Sequence, residues 1–226
     1  MKTGIHLPYE FKNPRDRGAA GEQRWKTVAV ELCKEMFGDK PAQILDFGSG
    51  RGELLQSLSD NGFTAVGVDG DPKCVELSSR FSQCYLSDDL RFTENFVPAS
   101  FDLVIALHVL EHLCEPSKYV EALKSLTKKY LILGVPNLAT MTGMQFFRVK
   151  TVNAGHRQGW DFNHFKSFTQ IHCGLRLIKW KPDYVVVPKV SELLHRIGLR
   201  ALIEEQLLPR LIPYQSNSII GLFEKV

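Results

Sequence analysis

One stretch of the chain sets glycines and an acid at a spacing that could hold a ligand. Ile44-Leu45-Asp46-Phe47-Gly48-Ser49-Gly50-Arg51-Gly52 places glycines at alternate positions, with a carboxylate two residues before the first. Glycine lets a backbone turn tightly and approach a ligand that side chains would exclude. A dinucleotide would call for G-x-G-x-x-G, and the third glycine of that pattern falls on Glu53. A pyrophosphate also prefers backbone N–H groups at a helix N-terminus without nearby anions. Asp46 and Glu53 disfavour it, and the ammonium of an amino acid suits this loop better. Two more acidic segments follow, Val66-Gly67-Val68-Asp69-Gly70-Asp71 and Ser87-Asp88-Asp89-Leu90. An acid at a strand tip can accept from both hydroxyls of a ribose. A carboxylate in the next segment could accept from an exocyclic amine such as that of adenine. Each acid alone would serve equally well as a helix cap or turn residue. Their succession after consecutive strands is what points to one ligand.

A second constellation is His108-x-x-Glu111-His112. Histidine titrates near neutral pH and is the natural general base for a hydroxyl that must lose its proton. His112 is the first candidate and His164 the second, with His108 and Glu111 as orienting partners. A hydrogen-bonded structural role is the plain alternative for each. If residues 108–112 open a helix, His108, Glu111 and His112 share one face at i, i+3 and i+4. With His156 or His164 from a later loop they would form a divalent-metal set. The preferred reading uses a general base and no metal.

The elements that must carry these groups alternate. Residues 1–20 read as an irregular arm. Trp25, Val28, Ala29, Leu32, Cys33, Met36 and Phe37 recur at helical spacing, and Gly38 and Pro41 stop them. Strands are expected at Gln43–Phe47, Thr64–Val68, Gln83–Leu86, Phe101–Leu107 and Tyr130–Val135. Helices fall between them, through Leu54–Leu58, from Pro72, and over Tyr119–Leu126. That rhythm implies right-handed crossovers and an α/β, doubly wound, mostly parallel sheet with helices on both faces. Beyond Pro136 the rhythm breaks. Leu175–Trp180, Tyr184–Val187 and Ser218–Phe223 read as strands, and Ser191–Leu208 as one amphipathic helix. A single domain is expected: arm and helix over 1–40, ligand-binding core over 41–137, a substrate-side cap over 138–217, and a final strand over 218–226.

Composition narrows the class. Of 226 residues, 44% are hydrophobic and 23% charged, which excludes disordered, collagen-like and disulfide-dense chains. Five scattered cysteines without a C-x-x-C pair argue against a disulfide framework or a thiolate zinc site. No apolar run approaches the ~20 residues of a membrane span. Met1–Phe11 lacks the apolar stretch of a signal peptide, so a cytoplasmic location is expected. Residues 1–113 carry a net −5 and residues 114–226 a net +8. The basic excess peaks over 140–181, where Phe146, Phe147, Trp160, Phe162, Phe165 and Phe168 interleave with Arg and Lys. Such a segment suits an anionic acceptor or forms the local core of a cap.

Over residues 41–137 the pattern resembles the class I S-adenosyl-L-methionine (SAM) dependent methyltransferases. Phe101-Asp102-Leu103-Val104-Ile105 followed by His108-Val109-Leu110-Glu111-His112-Leu113 is similar to the subgroup with ubiquinone-biosynthesis, natural-product and sugar O-methyltransferases. So are Leu133-Gly134-Val135-Pro136-Asn137 and the stretch His164-Phe165-Lys166-Ser167-Phe168-Thr169. The resemblance implies a Rossmann-like fold with an antiparallel C-terminal strand. It implies that Asp46, Gly48, Gly50 and Gly52 hold the methionine part of SAM, that Asp69 holds the ribose, and that Asp88 or Asp89 holds the adenine. Ser49, Gly70, Leu90 and Leu107 complete the implied cofactor site. The implied reaction is methyl transfer to a hydroxyl of a small-molecule or glycan-linked acceptor, with anionic acceptors included. Small-RNA 2′-O-methyltransferases resemble the His108–His112 pattern with E-x-x-E-H, which makes a metal-assisted RNA enzyme one alternative. A SAM-binding scaffold subunit without turnover is another. Nucleic acid is not the expected partner, since one basic segment is a thin footprint. Ala106-Leu107-His108-Val109 after the fourth strand lacks the Pro-Pro-aromatic run of amine methyltransferases.

Overall fold

The computed structural model describes residues 21–140, 155–187 and 190–226. Helix α1 (Gly21–Phe37) buries Val28, Ala29, Leu32 and Cys33 and ends at Gly38, whose φ of 58° is left-handed. The Gly38 N–H closes the last turn onto Lys34 O at 2.8 Å. There follow β1 (Gln43–Phe47), α2 (Glu53–Asp60), β2 (Thr64–Asp69), α3 (Pro72–Ser78) and β3 (Cys84–Leu86). The second half contributes β4 (Phe101–Leu107), α4 (Pro116–Leu126), β5 (Thr127–Pro136), α5 (Phe162–Ser167) and β6 (Leu175–Pro182). It ends with α6 (Ser191–Arg196), α7 (Leu208–Leu211) and β7 (Ser218–Lys225).

The seven strands form one sheet in the order β3-β2-β1-β4-β5-β7-β6. Strands β3 to β5 pair in parallel, and β7 runs antiparallel to both β5 and β6. Alternate residues serve opposite faces, as the pleat requires. Leu45, Val104, Ala106, Leu131 and Leu133 pack with α4 and α5, whereas Ile44, Leu103, Ile105 and Ile132 pack with α1 and α2. Burial on both faces explains why these strands read as continuous apolar runs. From β1 the chain winds outward to β2 and β3, then returns to start β4 on the other side of β1. The crevice at that switch point, beyond the carboxyl ends of β1 and β4, is where such sheets hold ligands.

Two expected elements differ. Tyr184–Val187 is not a strand: Asp183, Tyr184 and Val185 are buried, but Val185 N–H bonds Glu204 O and Tyr184 O accepts from Asn217, outside any ladder. Its apolar run reflects burial, not pairing. The single helix over Ser191–Leu208 is broken by Gly198, which adopts φ 72° and terminates α6. The chain resumes as a wide π-turn over Ala201–Leu207 before α7. There the buried Glu204 carboxylate accepts from Val187 N–H, Ser191 Oγ and Arg200 Nε, all within 3.0 Å.

The basic excess is also mostly structural where it is described. Lys179 and Lys181 pair with Glu35 and Glu31 of α1, and Arg176 pairs with Glu224 of β7. Opposite charge on neighbouring elements, not an anionic ligand, accounts for these three cations. Trp160, Phe165 and Phe168 pack on one another, and Phe162 packs on Trp180 and Tyr214. Phe146, Phe147, Arg148 and Lys150 lie outside the described residues.

Candidate active site

The glycine loop joins β1 to α2. Gly48 has φ 80°, and a Cβ there would lie 2.1 Å from Val109 Cγ2. The loop backbone is thus pressed against the turn that follows β4. Gly52 has φ 86°, and its Cβ would meet the Ser78 backbone at 2.8 Å. Gly50 is different: its φ is 54°, but a Cβ would meet nothing within 4 Å among the described residues.

Four carboxylates stand around the loop in different states. Asp69, at the tip of β2, accepts from Gly50 N–H at 2.8 Å through Oδ2 and from Asp71 N–H at 2.9 Å through Oδ1. It braces the loop and keeps further lone pairs. Asp46 is 3% exposed, and its Oδ2 makes no hydrogen bond among the described residues. Burial pushes its carboxyl up to about 7, against the pull of Lys26 and with help from Asp69 and Glu53. The Ser49 hydroxyl is likewise buried and has no hydrogen-bond partner among the described residues. Asp89 caps a short 3₁₀ turn over Leu90–Asn95 through Arg91 N–H and pairs with the Arg91 guanidinium at 2.8 Å. Asp88 is exposed, and a Cβ on Gly70 would lie 3.5 Å from its Cβ. Leu90 is partly exposed, and Leu107 is buried against Gly134.

Beyond β4 the chain does not open the helix that would align His108, Glu111 and His112. His108 takes φ 56°, a left-handed conformation costly for a residue with a Cβ, and only Leu110–His112 form a 3₁₀ turn. That sharp turn still converges the three side chains. The Glu111 carboxyl is 1% exposed and neither oxygen makes a hydrogen bond among the described residues. Burial pushes it up to about 8. His108 Nδ1 lies 3.7 Å and His112 Nε2 3.9 Å from Glu111 Oε1. His112 Nδ1 is 3.0 Å from Gly155 O. A carbonyl only accepts, so Nδ1 carries the proton and Nε2 presents its lone pair toward Glu111. Burial also lowers the His112 pKa, which keeps that lone pair available at neutral pH. His156 packs its ring edge-on to His112 at 4.9 Å. One ligand atom from each of Glu111, His112 and His156 lies within 4.8 Å of the others. The loop bringing His156 is held by Arg157 N–H and Gln158 N–H, both donating to Glu111 O.

Residues 21–175 match the model of a methyltransferase domain. The chain belongs to that family. Its glycine loop and strand order agree with the class I SAM-dependent methyltransferase fold. Curated relatives include the ubiquinone biosynthesis O-methyltransferase of Methylocella silvestris, 28% identical over 138 residues, which cover 57% of this chain and 53% of the relative. That of Cereibacter sphaeroides is 30% identical over 109 residues, covering 45% and 44%. The matches therefore span about half the length of the curated relatives. Among solved structures, magnesium protoporphyrin IX methyltransferase from Synechocystis with bound S-adenosylhomocysteine superposes with a TM-score of 0.63 at 17% identity, covering 91% of this chain and 84% of that one. A SAM-dependent methyltransferase from Archaeoglobus fulgidus gives 0.59 at 19%, covering 88% and 94%. Among the described residues no helix is long and apolar enough to cross a membrane.

The methyltransferase's own residues fit SAM. The orphaned Asp46 oxygen and Ser49 hydroxyl, beside a glycine whose Cβ would meet nothing among the described residues, are what the α-ammonium of a methionine moiety would complement. Of the paired acids, Asp89 is committed to its cap and to Arg91, whereas the Asp88 side chain is exposed.

His164 is not in the cluster at Glu111. It starts α5, where Asp161 accepts from its N–H and from Nδ1, and its exposed ring lines a shallow groove with Gly159, Trp160, Ser167, Phe168 and His172. His156 takes its place beside His112. Sequence reasoning missed Lys26, which pairs with Glu53 at 3.2 Å and moderates Asp46, and Trp25, which packs its ring on His108 at 4.9 Å. It also missed Ser218, whose Oγ is 3.0 Å from His108 Nε2, and Asp183, which accepts from Ser218 N–H at 2.9 Å. No local motif marks them.

Proposed function

We propose that this methyltransferase acts on a hydroxyl oxygen of a small-molecule acceptor. The observation that carries the reading is the Glu111–His112–His156 cluster, placed next to the cofactor loop by the contact between Val109 and Gly48. SAM, when bound, supplies an electrophilic methyl on a sulfonium. The glycine loop and Asp46 would orient its amino-acid end, and Asp69 its ribose. In-line displacement needs chiefly alignment and a dry site. The alcohol must also lose its proton as the new bond forms, and His112 Nε2, bare and aimed inward, would take it. Glu111, whose raised carboxyl is protonated near neutral pH, would release that proton to solvent as His112 gains one, and the resulting carboxylate would hold the counter-charge. The O-methyltransferase names of the curated relatives agree with an oxygen acceptor.

A second version uses the same atoms. One carboxylate and two imidazoles within 4.8 Å are a donor set suited to a divalent cation. Such an ion would lower the acceptor hydroxyl's pKa and relieve the unpartnered Glu111. The test is S-adenosylhomocysteine formation from SAM across catechols, phenols and hydroxylated aliphatics, each with and without a chelator. Turnover on a hydroxyl acceptor supports the reading, and sensitivity to the chelator selects the metal version. SAM binding with no turnover on any oxygen acceptor, or turnover only on amines, overturns it.

A further inference from the structure

Half of the exposed large apolar side chains among the described residues lie in one segment, residues 190–214. Elsewhere they are spread thinly, which is ordinary for a protein surface. Along α6 and its two caps, Val190, Leu193 and Ile197 recur at i, i+3 and i+7, so they share one face, and all three are exposed. Leu194, beside them, turns inward and is buried. The π-turn adds exposed Leu202 and Leu207. Leu211 of α7 and Tyr214 of the 3₁₀ turn behind it continue the apolar surface. The charged groups of the segment are sorted by sign. Glu204 is buried on Arg200, Ser191 and the Val187 N–H, Glu205 keeps one oxygen buried, and exposed Glu192 is neutralised by Arg196. Arg210 is exposed and has no acidic partner among the described residues, and His195 is exposed as well. Tyr214 stacks on Trp180 at 5.3 Å, and such amphipathic rings suit a border between apolar and aqueous phases.

The strand register fixes where this surface sits. Segment 190–214 lies between β6, whose last residue Pro182 pairs with Ile219, and β7, whose first residue Ser218 pairs with Pro136 at the end of β5. Since β5 runs parallel to β4 and β1, the segment leaves and re-enters the sheet at the carboxyl edge that carries the glycine loop. Ser218 Oγ, 3.0 Å from His108 Nε2, ties its end to the turn after β4. We infer that residues 190–214 form a docking surface for an anionic lipid bilayer, on which the protein lies without crossing it. Val190, Leu193, Ile197 and Leu202 enter the apolar boundary, and Arg210 meets the lipid head groups. Interfacial segments combine an apolar face with cations at its rim in this way. The charge pattern decides between occupants. A second copy of the chain offers the same cations again, whereas an anionic bilayer opposes them. Docking by this edge holds the cofactor crevice close to the membrane surface.

The test floats the full chain with vesicles of phosphatidylcholine, alone or mixed with phosphatidylglycerol. The wild type should float with the mixed vesicles and bind the neutral ones more weakly. The double variant Leu193→Glu/Leu202→Glu puts two carboxylates on the exposed apolar face and should cut vesicle binding at least about tenfold. Arg210→Gln should cut it about fivefold on the anionic vesicles alone. Val97→Glu, at an exposed apolar position just before β4 and so at the other end of the sheet, should change nothing. A wild type that floats with neither vesicle overturns the proposal, whatever the variants do. So does undiminished binding by the double variant, or an equal loss in Val97→Glu. A lipid-free dimer in analytical ultracentrifugation that the double variant splits also overturns it, since a second copy then covers the face. Flotation needs no acceptor, so absence of methyl transfer to any oxygen sinks the proposed activity and leaves the docking surface standing.

Discussion

The loop after β1 and the turn after β4 meet at one crevice, yet the carboxylates beside them, half-buried Asp69 and buried Glu111, are held in opposite ways. Asp69 is satisfied by backbone N–H groups two and nineteen residues away, so its charge is spent on holding the loop shape. Among the described residues Glu111 has no hydrogen bond to either oxygen, and its neighbours are imidazole nitrogens nearly 4 Å away. A buried carboxylate without donors is costly unless a proton or a cation joins it. The first arrangement is therefore a scaffold that must not change during the reaction, and the second is a centre set to exchange a charge. Asp46 stands between them, with one oxygen left for a ligand.

The sharpest way to break the scaffold side is Gly48→Ala. Its Cβ would overlap Val109 and sit at φ 80°, so a loss of about 2–4 kcal/mol of stability and no calorimetric SAM binding are expected. Gly50→Ala, whose Cβ would meet nothing within 4 Å among the described residues, should keep the melting temperature nearly intact while still weakening SAM, because the methyl occupies the ligand's side of the loop.

Glu111→Gln tests the other side. It keeps the shape, removes the carboxylate's ability to take up charge, and should reduce turnover by about 100-fold or more with SAM affinity unchanged. Equal losses in binding and turnover would erase the distinction between the two regions.

Asp46 allows a milder test by pH. Its carboxyl is raised to about 7, so the ligand-free protein should lose stability as pH rises from 3.8 towards 7, since the unfolded chain gives up the proton first. SAM binding should run the other way. The ionised form binds an ammonium, so affinity should climb about tenfold between pH 6 and 8 and level off above. Asp46→Asn should flatten both profiles, as read by thermal melts and calorimetry.

The smallest effects separate neighbours. Asp88→Ala should weaken SAM several-fold, whereas Asp89→Ala, which removes only an exposed cap and ion pair, should lower the melting temperature by about 2 °C or less and spare binding. His164→Ala should leave turnover within about twofold, given the ring's exposure and its bond to Asp161. A large loss there would return His164 to the reacting centre.

Local order alone carried much of this protein. Apolar runs for β1 to β5, their helical spacers and the punctuation at Gly38 were legible because each follows from neighbours within a few residues. The cofactor loop was legible for the same reason: its glycines, Asp46 and Asp69 lie within 24 residues and obey one strand–turn–helix unit. The reacting centre was only half legible. His108, Glu111 and His112 stood out, but their assumed helix was replaced by a strained turn, and which distant histidine joined them could not be read from spacing. Tertiary structure chose His156 over His164, since Arg157 and Gln158 tie their loop to the Glu111 carbonyl while Asp161 holds His164 at the start of α5. It alone brought Ser218 to His108, from a strand 110 residues further along. Backbone geometry is a short-range property of sequence, whereas a buried polar group takes its partner from whatever the packed sheet delivers to it.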